Sequence, residues 1–212
     1  MKDRDVQPEF LDSMPGDDPR ARRSRRDLVI INRLMGNFRW ARQAVDWALD
    51  GRDLPVWELG SGDGCLLEQL GEDGVAGTGV DLLPRPESLA AHVNWREGDV
   101  MEVLGEGVDG VVVANLFLHH FKDEQLAKMG RMLERCEVIC VSEPWRSRLA
   151  LLEGRLLYPF VNGVTRHDMM VSIRAGFRRG ELPRLLGVGE AWEVREQCTK
   201  LGACRMLAWK KR

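Results

Sequence analysis

The chain has 212 residues, the length of one ordinary domain with a single buried core. Hydrophobic residues make up 44% of the sequence and charged residues 30%, a balance typical of globular domains. The formal net charge of −2 gives no global reason to expect a polyanionic partner. No stretch is apolar enough for a signal peptide or long enough to span a bilayer, so we expect neither.

The five cysteines do not form a CxxC pair. An odd number of unpaired cysteines favours reduced thiols over a disulfide framework or a zinc site. We therefore expect a cytoplasmic protein without a bound metal.

Residues 1–27 are rich in Asp, Arg, Pro and Gly and have little to bury, which predicts a mobile tail. The run RARRSRR places five arginines in seven positions, 20–26. A solvated basic arm is the favoured interpretation, and a nucleic-acid contact is the alternative.

From residue 28 the pattern becomes helical, with a possible break at Gly36-Asn37 and a stop at Gly51. Strand-like and helix-like segments then alternate. Helices are predicted at residues 65–70, 87–91 and 123–134 and near 179. Strands are predicted at residues 56–59, 77–80, 93–97, 110–115, 137–143, 192–196 and 203–209. This order predicts one α/β domain over residues 28–212, with a doubly wound, mostly parallel seven-stranded sheet flanked by helices.

Residues 144–178 are too long for a normal connection in such a sheet. We interpret them as a helical insertion after the fifth strand that forms a lid or substrate pocket. A purely structural helical excursion is the alternative.

The motif ELGSGDG begins in the first predicted strand and continues into the loop after it. Its glycine spacing indicates whether the loop binds a dinucleotide or a cofactor without a pyrophosphate. A dinucleotide fingerprint reads GxGxxG, but here the third glycine position falls on Cys65. The glycines lie at Gly60, Gly62 and Gly64, and Glu58 precedes them. A carboxylate at this turn repels a pyrophosphate and attracts a cationic or zwitterionic ligand.

Polar residues also follow the next strands, where ligands of such sheets bind. Asp81 follows GTGV, Asp99 lies in EGDV, and Asn115 ends the fourth strand. Together with ELGSGDG, these strand ends resemble those of class I methyltransferases that use S-adenosylmethionine (SAM).

The resemblance implies SAM as cofactor and S-adenosylhomocysteine (SAH) as product. It places the methionine part on the glycine loop, the ribose hydroxyls on Asp81, and the adenine at Asp99 and Val100. The implied cofactor-binding residues are Glu58, Gly60, Ser61, Gly62, Asp81, Leu82, Asp99, Val100, Asn115 and Leu116.

The fourth strand ends in Asn115-Leu116-Phe117-Leu118 and lacks the Asn-Pro-Pro-aromatic run of amino-methyltransferases. The following LFLHHF resembles methyltransferases of small molecules such as quinones, phenols and polyketide products. Histidine can take a proton from a hydroxyl near neutral pH, so His120 and then His119 are the candidate general bases. Glu143, at the end of the fifth strand, is a candidate partner for one of them.

The insertion contains TRHDMMVSIRAGF, which resembles a segment of bacterial methyltransferases of polyketide or phenolic-lipid pathways. On that resemblance His167 is a rival base, and Arg166 and Arg174 are candidate substrate residues. A solvent-facing charge cluster is the alternative.

We therefore expect SAM-dependent methylation of a small hydrophobic acceptor, by O-methylation of a phenol or hydroxyl or C-methylation of a quinol-type ring. The rival hypotheses are a SAM-binding regulatory or scaffold protein without turnover, and a nucleic-acid methyltransferase that uses the arginine-rich arm. We expect no nucleic-acid partner, and the sequence leaves the oligomeric state open.

Overall fold

The computed structural model describes residues 3–105 and 107–211. Its seven strands form one sheet in the order β3-β2-β1-β4-β5-β7-β6. Strands β1 to β5 are parallel, and β7 is antiparallel to both of its neighbours. The strands are β1 (Val56–Leu59), β2 (Gly77–Asp81), β3 (Asn94–Glu97), β4 (Val111–Asn115), β5 (Val138–Pro144), β6 (Trp192–Cys198) and β7 (Ala203–Lys210). The predicted fold class is confirmed.

The helices flank the sheet, and short 3-10 turns cover Leu118–His120 and Tyr158–Phe160. The predicted helix break occurs at Gly36, which has a φ of 68°. The helices are α1 (Phe10–Ser13), α2 (Pro19–Met35), α3 (Asn37–Leu49), α4 (Cys65–Glu72), α5 (Val100–Val103), α6 (Asp123–Met132), α7 (Arg148–Leu156), α8 (Gly163–Ala175) and α9 (Glu181–Leu185).

Strand β4 shows how the sheet is buried on both faces. Val111 and Val113 pack with residues of α3 and α4, whereas Val112 and Ala114 pack with residues of α6 and α9. Such burial explains why the strand reads as a continuous apolar run. The strand order reverses between β1 and β4, so the ligand crevice of this fold class lies at their carboxyl ends.

The boundary predicted for the mobile tail, residues 1–27, is wrong; its first two residues lie outside the described residues. Helix α2 spans the boundary, and the buried Asp27 side chain accepts a hydrogen bond from the Asn162 amide at 2.9 Å. Nearer the start, the Arg4 guanidinium donates to the Ala175 carbonyl at 2.8 Å. Arg4 and Asp27 thus have specific partners far away in the sequence, which composition alone could not reveal.

The helix predicted over residues 87–91 is also wrong, since this segment forms turns. The Arg85 guanidinium donates to the carbonyls of Leu89 and Ala90, at 2.9 and 2.8 Å. It thereby satisfies carbonyl groups that a continuing helix would bond internally.

The insertion after β5 consists of helices α7 and α8 and is closed at its base. The Phe177 amide donates to the Pro144 carbonyl, and the Arg146 amide donates to the Phe177 carbonyl, each at 2.9 Å. A separate hydrophobic cluster joins α7 and α8 to Ile31 of α2. The insertion is thus packed against the N-terminal helices.

Across the described part of the chain, no helix combines the length and the apolar character needed to cross a bilayer.

Replacing Gly130 with alanine tests the close packing of α6 against α9. The added methyl group would overlap the Leu186 carbonyl oxygen. We expect Gly130→Ala to lower the free energy of unfolding by about 1–3 kcal/mol, measured by urea denaturation. Gly163→Ala in α8 is the control, because among the described residues no atom lies within 4 Å of the position that its new methyl group would take. Equal stability of the two variants would contradict the close packing.

Candidate functional site

The loop after β1 turns at three alternate glycines. Gly60, Gly62 and Gly64 have φ angles of 69°, 54° and 73°, a region in which side chains other than glycine are strained. A Cβ on Gly60 would also overlap the Phe117 ring. The backbone of this turn therefore requires the spacing seen in the sequence.

A cavity of about 540 Å³ opens at the carboxyl ends of β1, β2 and β4. All of the residues that the sequence analysis assigned to the cofactor line it. They are Glu58, Gly60, Ser61, Gly62, Asp81, Leu82, Asp99, Val100, Asn115 and Leu116. The fold brings together residues that lie far apart in the chain, from Glu58 to Leu116.

Glu58 is the most unusual group in the cavity wall. Its side chain is 4% exposed, and its Oε2 atom has no hydrogen-bond partner among the described residues. Burial, with a smaller contribution from the negative charge of Asp81, raises the pKa of Glu58 well above its ordinary value. Burying an unpaired carboxyl group is costly, so a donor or cation that reached Oε2 would be strongly favoured.

Asn115 contributes a second free acceptor. Its Nδ2 atom donates to Asn32 Oδ1 at 3.1 Å, and Asn37 Nδ2 donates to the same oxygen at 3.0 Å. These bonds orient the Asn115 amide, while its buried Oδ1 atom has no partner in the described structure. Within the described part of the chain, the cavity thus offers two unpaired oxygen acceptors and no donor to satisfy them.

Asp81 and Asp99 hold the backbone around the cavity. Asp81 accepts hydrogen bonds from the amides of Gly62 and Leu83, at 2.7 and 2.9 Å. Asp99 is the N-cap of α5 and accepts a hydrogen bond from the Met101 amide at 2.7 Å. A carboxylate oxygen has two lone pairs, so each aspartate retains capacity for a ligand.

Glu143 fixes the loop after β4. It is fully buried, and its Oε1 atom accepts the amides of Phe117 and Leu118 at 2.9 and 2.7 Å. These bonds hold the loop at Leu116, whose φ of 53° is rare for a residue other than glycine. The predicted partnership with a histidine is present, since His119 Nδ1 lies 2.7 Å from Glu143 Oε2.

His119 is buried between two carboxyl groups, those of Glu143 and Glu9. Burial would lower its pKa, but hydrogen bonds to Glu143 and Glu9, together with their charges, raise the pKa of His119 to about 9. Its Nε2 atom lies 3.3 Å from Glu9 Oε1. At neutral pH both ring nitrogens are donors and neither has a lone pair. These contacts argue against His119 as the general base, and its role stays a prediction.

His120 occupies the wall of the cavity and remains partly exposed, with 27% of its side-chain surface accessible. Its Nδ1 atom lies 3.4 Å from Asp12 Oδ2. Of the paired histidines, only His120 combines access to the cavity with a ring nitrogen that is not committed to a buried ion pair.

The other predicted substrate groups lie elsewhere. His167 stacks on the Phe10 ring with a centroid distance of 3.7 Å, and Arg166 donates to the Val161 carbonyl at 3.1 Å. Arg174 is exposed on the same helix, α8. None of the three lines the cavity, so the structure gives no support to their interpretation as base and substrate contacts, which stays a prediction.

The insertion contacts the N-terminal segment that lines the cavity, and none of its residues forms the cavity wall. The Asp168 carboxylate accepts the amides of Phe10 and Leu11 at 2.8 and 3.0 Å, and Ser172 donates to Glu9. The outer wall comes from the N-terminal part of the chain, which the sequence analysis missed. The lining residues there are Glu9, Leu11, Asp12, Met14, Arg25, Leu28, Val29 and Asn32. The sequence signal for this outer wall is a few apolar residues within a charged segment.

One group of side chains has metal-ligand spacing. Among the described residues, ligand atoms of Glu9, His119 and His120 lie within 4.8 Å of one another. Two of these residues already have protein partners: Glu9 accepts a hydrogen bond from Ser172, and His119 is hydrogen-bonded to Glu143. That the protein binds no metal stays a prediction.

The sequence matches no family model and no curated protein. Solved structures nevertheless match over nearly the whole chain. The plantazolicin methyltransferase BamL, in complex with a triazolic desmethylPZN analog and SAH, has a TM-score of 0.73 at 12% identity, covering 95% of this chain and 93% of BamL. The related BpumL in complex with SAH has a TM-score of 0.71 at 12% identity, with 92% of each chain covered.

A third match is the magnesium protoporphyrin IX methyltransferase ChlM from Synechocystis PCC 6803 with bound SAH. Its TM-score is 0.56 at 15% identity, and the alignment covers 83% of this chain and 84% of ChlM. These likenesses, together with the strand order and the glycine turn, show that the chain has the fold of class I SAM-dependent methyltransferases.

Proposed function

We propose that the protein is a SAM-dependent methyltransferase that acts on a small hydrophobic acceptor. The proposal rests mainly on two buried oxygen atoms that have no hydrogen-bond partner among the described residues, Glu58 Oε2 and Asn115 Oδ1, in the wall of the strand-end cavity. Structural neighbours that bind SAM or SAH support it as well.

The residues of the inner cavity fit SAM. Its ammonium group supplies the donors that Glu58 and Asn115 lack, and its sulfonium charge favours the ionised form of Glu58. The glycine turn allows close backbone approach, and Asp81 has lone pairs for the two ribose hydroxyls. A dinucleotide would instead place a pyrophosphate beside the carboxyl group of Glu58.

The outer cavity suits an apolar acceptor with one ionisable group. Leu11, Met14, Leu28 and Phe121 supply apolar surface there, and His120 lies among them on the wall. Such a wall positions the acceptor and excludes water, which matters because methyl transfer depends mainly on alignment.

His120 removes the proton from the acceptor hydroxyl. Asp12 faces its Nδ1 atom and so favours the tautomer with a free Nε2 lone pair. Bound SAM supplies an electrophilic methyl carbon on its sulfonium sulfur. The same deprotonation activates a phenol oxygen for O-methylation or a quinol ring carbon for C-methylation, with O-methylation proposed first.

Titration calorimetry with SAM and, separately, NAD tests the cofactor assignment. We expect wild-type protein to bind SAM and not NAD. Asp81→Ala should weaken SAM binding about tenfold or more, because hydrogen bonds to a charged acceptor are lost. Asp53→Ala is the control, since this exposed aspartate lies outside the cavity. Equal weakening by both substitutions, or binding of NAD, would refute the assignment.

The pH dependence of SAM affinity tests the role of Glu58. Burial raises the pKa of Glu58 in the ligand-free protein, and a bound cation favours its ionised form, so binding releases a proton over the pH range in which Glu58 titrates. We therefore expect SAM affinity to rise with pH as Glu58 ionises, from the ordinary carboxyl range near pH ~4 upward. Glu58→Gln should bind about tenfold more weakly and lose this slope. Identical slopes for the two proteins would rule out Glu58 as the titrating group.

SAH formation with a panel of phenols and quinols tests turnover. With the best acceptor, we expect His120→Ala to lower kcat by about 10²–10⁴-fold while its SAM dissociation constant stays close to wild type. His92→Ala is the matched control, because His92 is exposed and outside the cavity. Wild-type kcat in His120→Ala would remove His120 as the base.

Two further outcomes of the same assay separate the rival functions. SAM binding without SAH formation across the panel would favour a binding protein without turnover. Methylation of RNA or DNA instead of small acceptors would favour a nucleic-acid methyltransferase.

A further inference from the structure

Two cysteines face each other across the β6–β7 hairpin. Cys198 and Cys204 are register partners, and their Sγ atoms are 3.0 Å apart. The next pair toward the turn, Thr199 and Ala203, is hydrogen-bonded, because the Thr199 amide donates to the Ala203 carbonyl at 2.7 Å. Because hydrogen-bonded and non-hydrogen-bonded pairs alternate, Cys198 and Cys204 form a non-hydrogen-bonded pair, in which the Cα atoms come closest.

That separation, about 4.5 Å, falls within the range of Cα distances that a disulfide spans. The two sulfurs are already in contact, so a bond between them needs only side-chain rotation and no change of register. Of the other three cysteines, Cys136 and Cys140 are buried, and Cys65 lies in α4.

The two thiols differ in a way that suits an ordered reaction. Cys198 is partly exposed, whereas Cys204 is buried. The hydrogen bond between the two thiols lowers the pKa of Cys198 and raises that of Cys204. The more accessible sulfur is thus also the better thiolate.

We propose that Cys198 and Cys204 form a reversible redox site that a small-molecule disulfide such as glutathione disulfide oxidises. The Cys198 thiolate attacks one sulfur of glutathione disulfide and releases one glutathione thiolate. Cys204 then loses its proton, attacks the Cys198 sulfur of the mixed disulfide and releases the second glutathione. Two protein thiols are oxidised, and one glutathione disulfide is reduced to two glutathiones.

The bond would constrain a turn that supports the insertion. The Trp145 amide donates to the Gly202 carbonyl at 2.7 Å, and a Cβ on Gly202 would lie 3.7 Å from Ala150 in α7. Oxidation therefore ties the turn that contacts the start of the insertion. This inference is independent of the proposed methyltransferase function, because it concerns the far hairpin and not the cavity.

The test equilibrates the full-length folded protein in glutathione buffers of increasing oxidised fraction, followed by acid quenching and non-reducing peptide mapping. We expect a linkage between Cys198 and Cys204, the loss of two hydrogen atoms from the intact mass, and a higher Tm for the oxidised form. Excess reduced glutathione should reverse all three changes.

Cys198→Ser and Cys204→Ser should each abolish the linkage, and Cys65→Ser should retain it. Circular dichroism shows whether each variant is folded, and the wild-type mapping decides the question without them. A stable glutathione adduct on Cys198, a linkage through any other cysteine, or two unreacted thiols at the highest oxidised fraction would overturn the proposal.

Discussion

The buried carboxylate of Glu143 holds the site together. It lies at the end of β5, and it accepts the backbone amides of the loop that leaves β4. It also stabilises the positive charge on His119, which in turn pairs with Glu9. One side chain thus connects the sheet, the strained turn at Leu116 and the N-terminal wall. Removing one partner of such a buried network leaves an unpaired charge, which typically costs about 3–5 kcal/mol.

The cavity has two halves with different origins. The inner half is made from strand ends and contains the unsatisfied oxygens of Glu58 and Asn115. The outer half is made from residues of the N-terminal part of the chain. Contacts of Glu9 with His119 and of Asp12 with His120 attach this part to the loop after β4. A ligand with a cationic group at one end and a reactive group directed toward the outer half would contact both halves of the cavity. A common type of sheet thus combines with an outer wall that a less regular segment supplies.

The sheet and its inner cavity were predictable from the sequence because each depends on local patterns. Continuous β-branched runs such as residues 110–115 indicate buried parallel strands, and three alternate glycines require left-handed backbone. The topology of the fold class then places Asp81, Asp99 and Asn115 at one edge.

The outer half was not predictable, because it depends on pairings between distant residues. Composition suggested disorder before residue 28, but the charge of Glu9 is matched by His119, 110 positions away. The sequence also could not rank the paired histidines. Only the structure shows that His119 has both nitrogens committed while His120 faces the cavity. For the same reason the motif around His167 suggested a catalytic role, although α8 presents that ring to Phe10.

The cofactor site can be examined in a crystal structure of the protein grown with SAH. We expect SAH in the strand-end cavity, with its amino group within hydrogen-bond distance of Glu58 Oε2 or Asn115 Oδ1 and its ribose at Asp81. SAH bound elsewhere, or bound in the cavity with both oxygens still unpaired, would contradict this expectation.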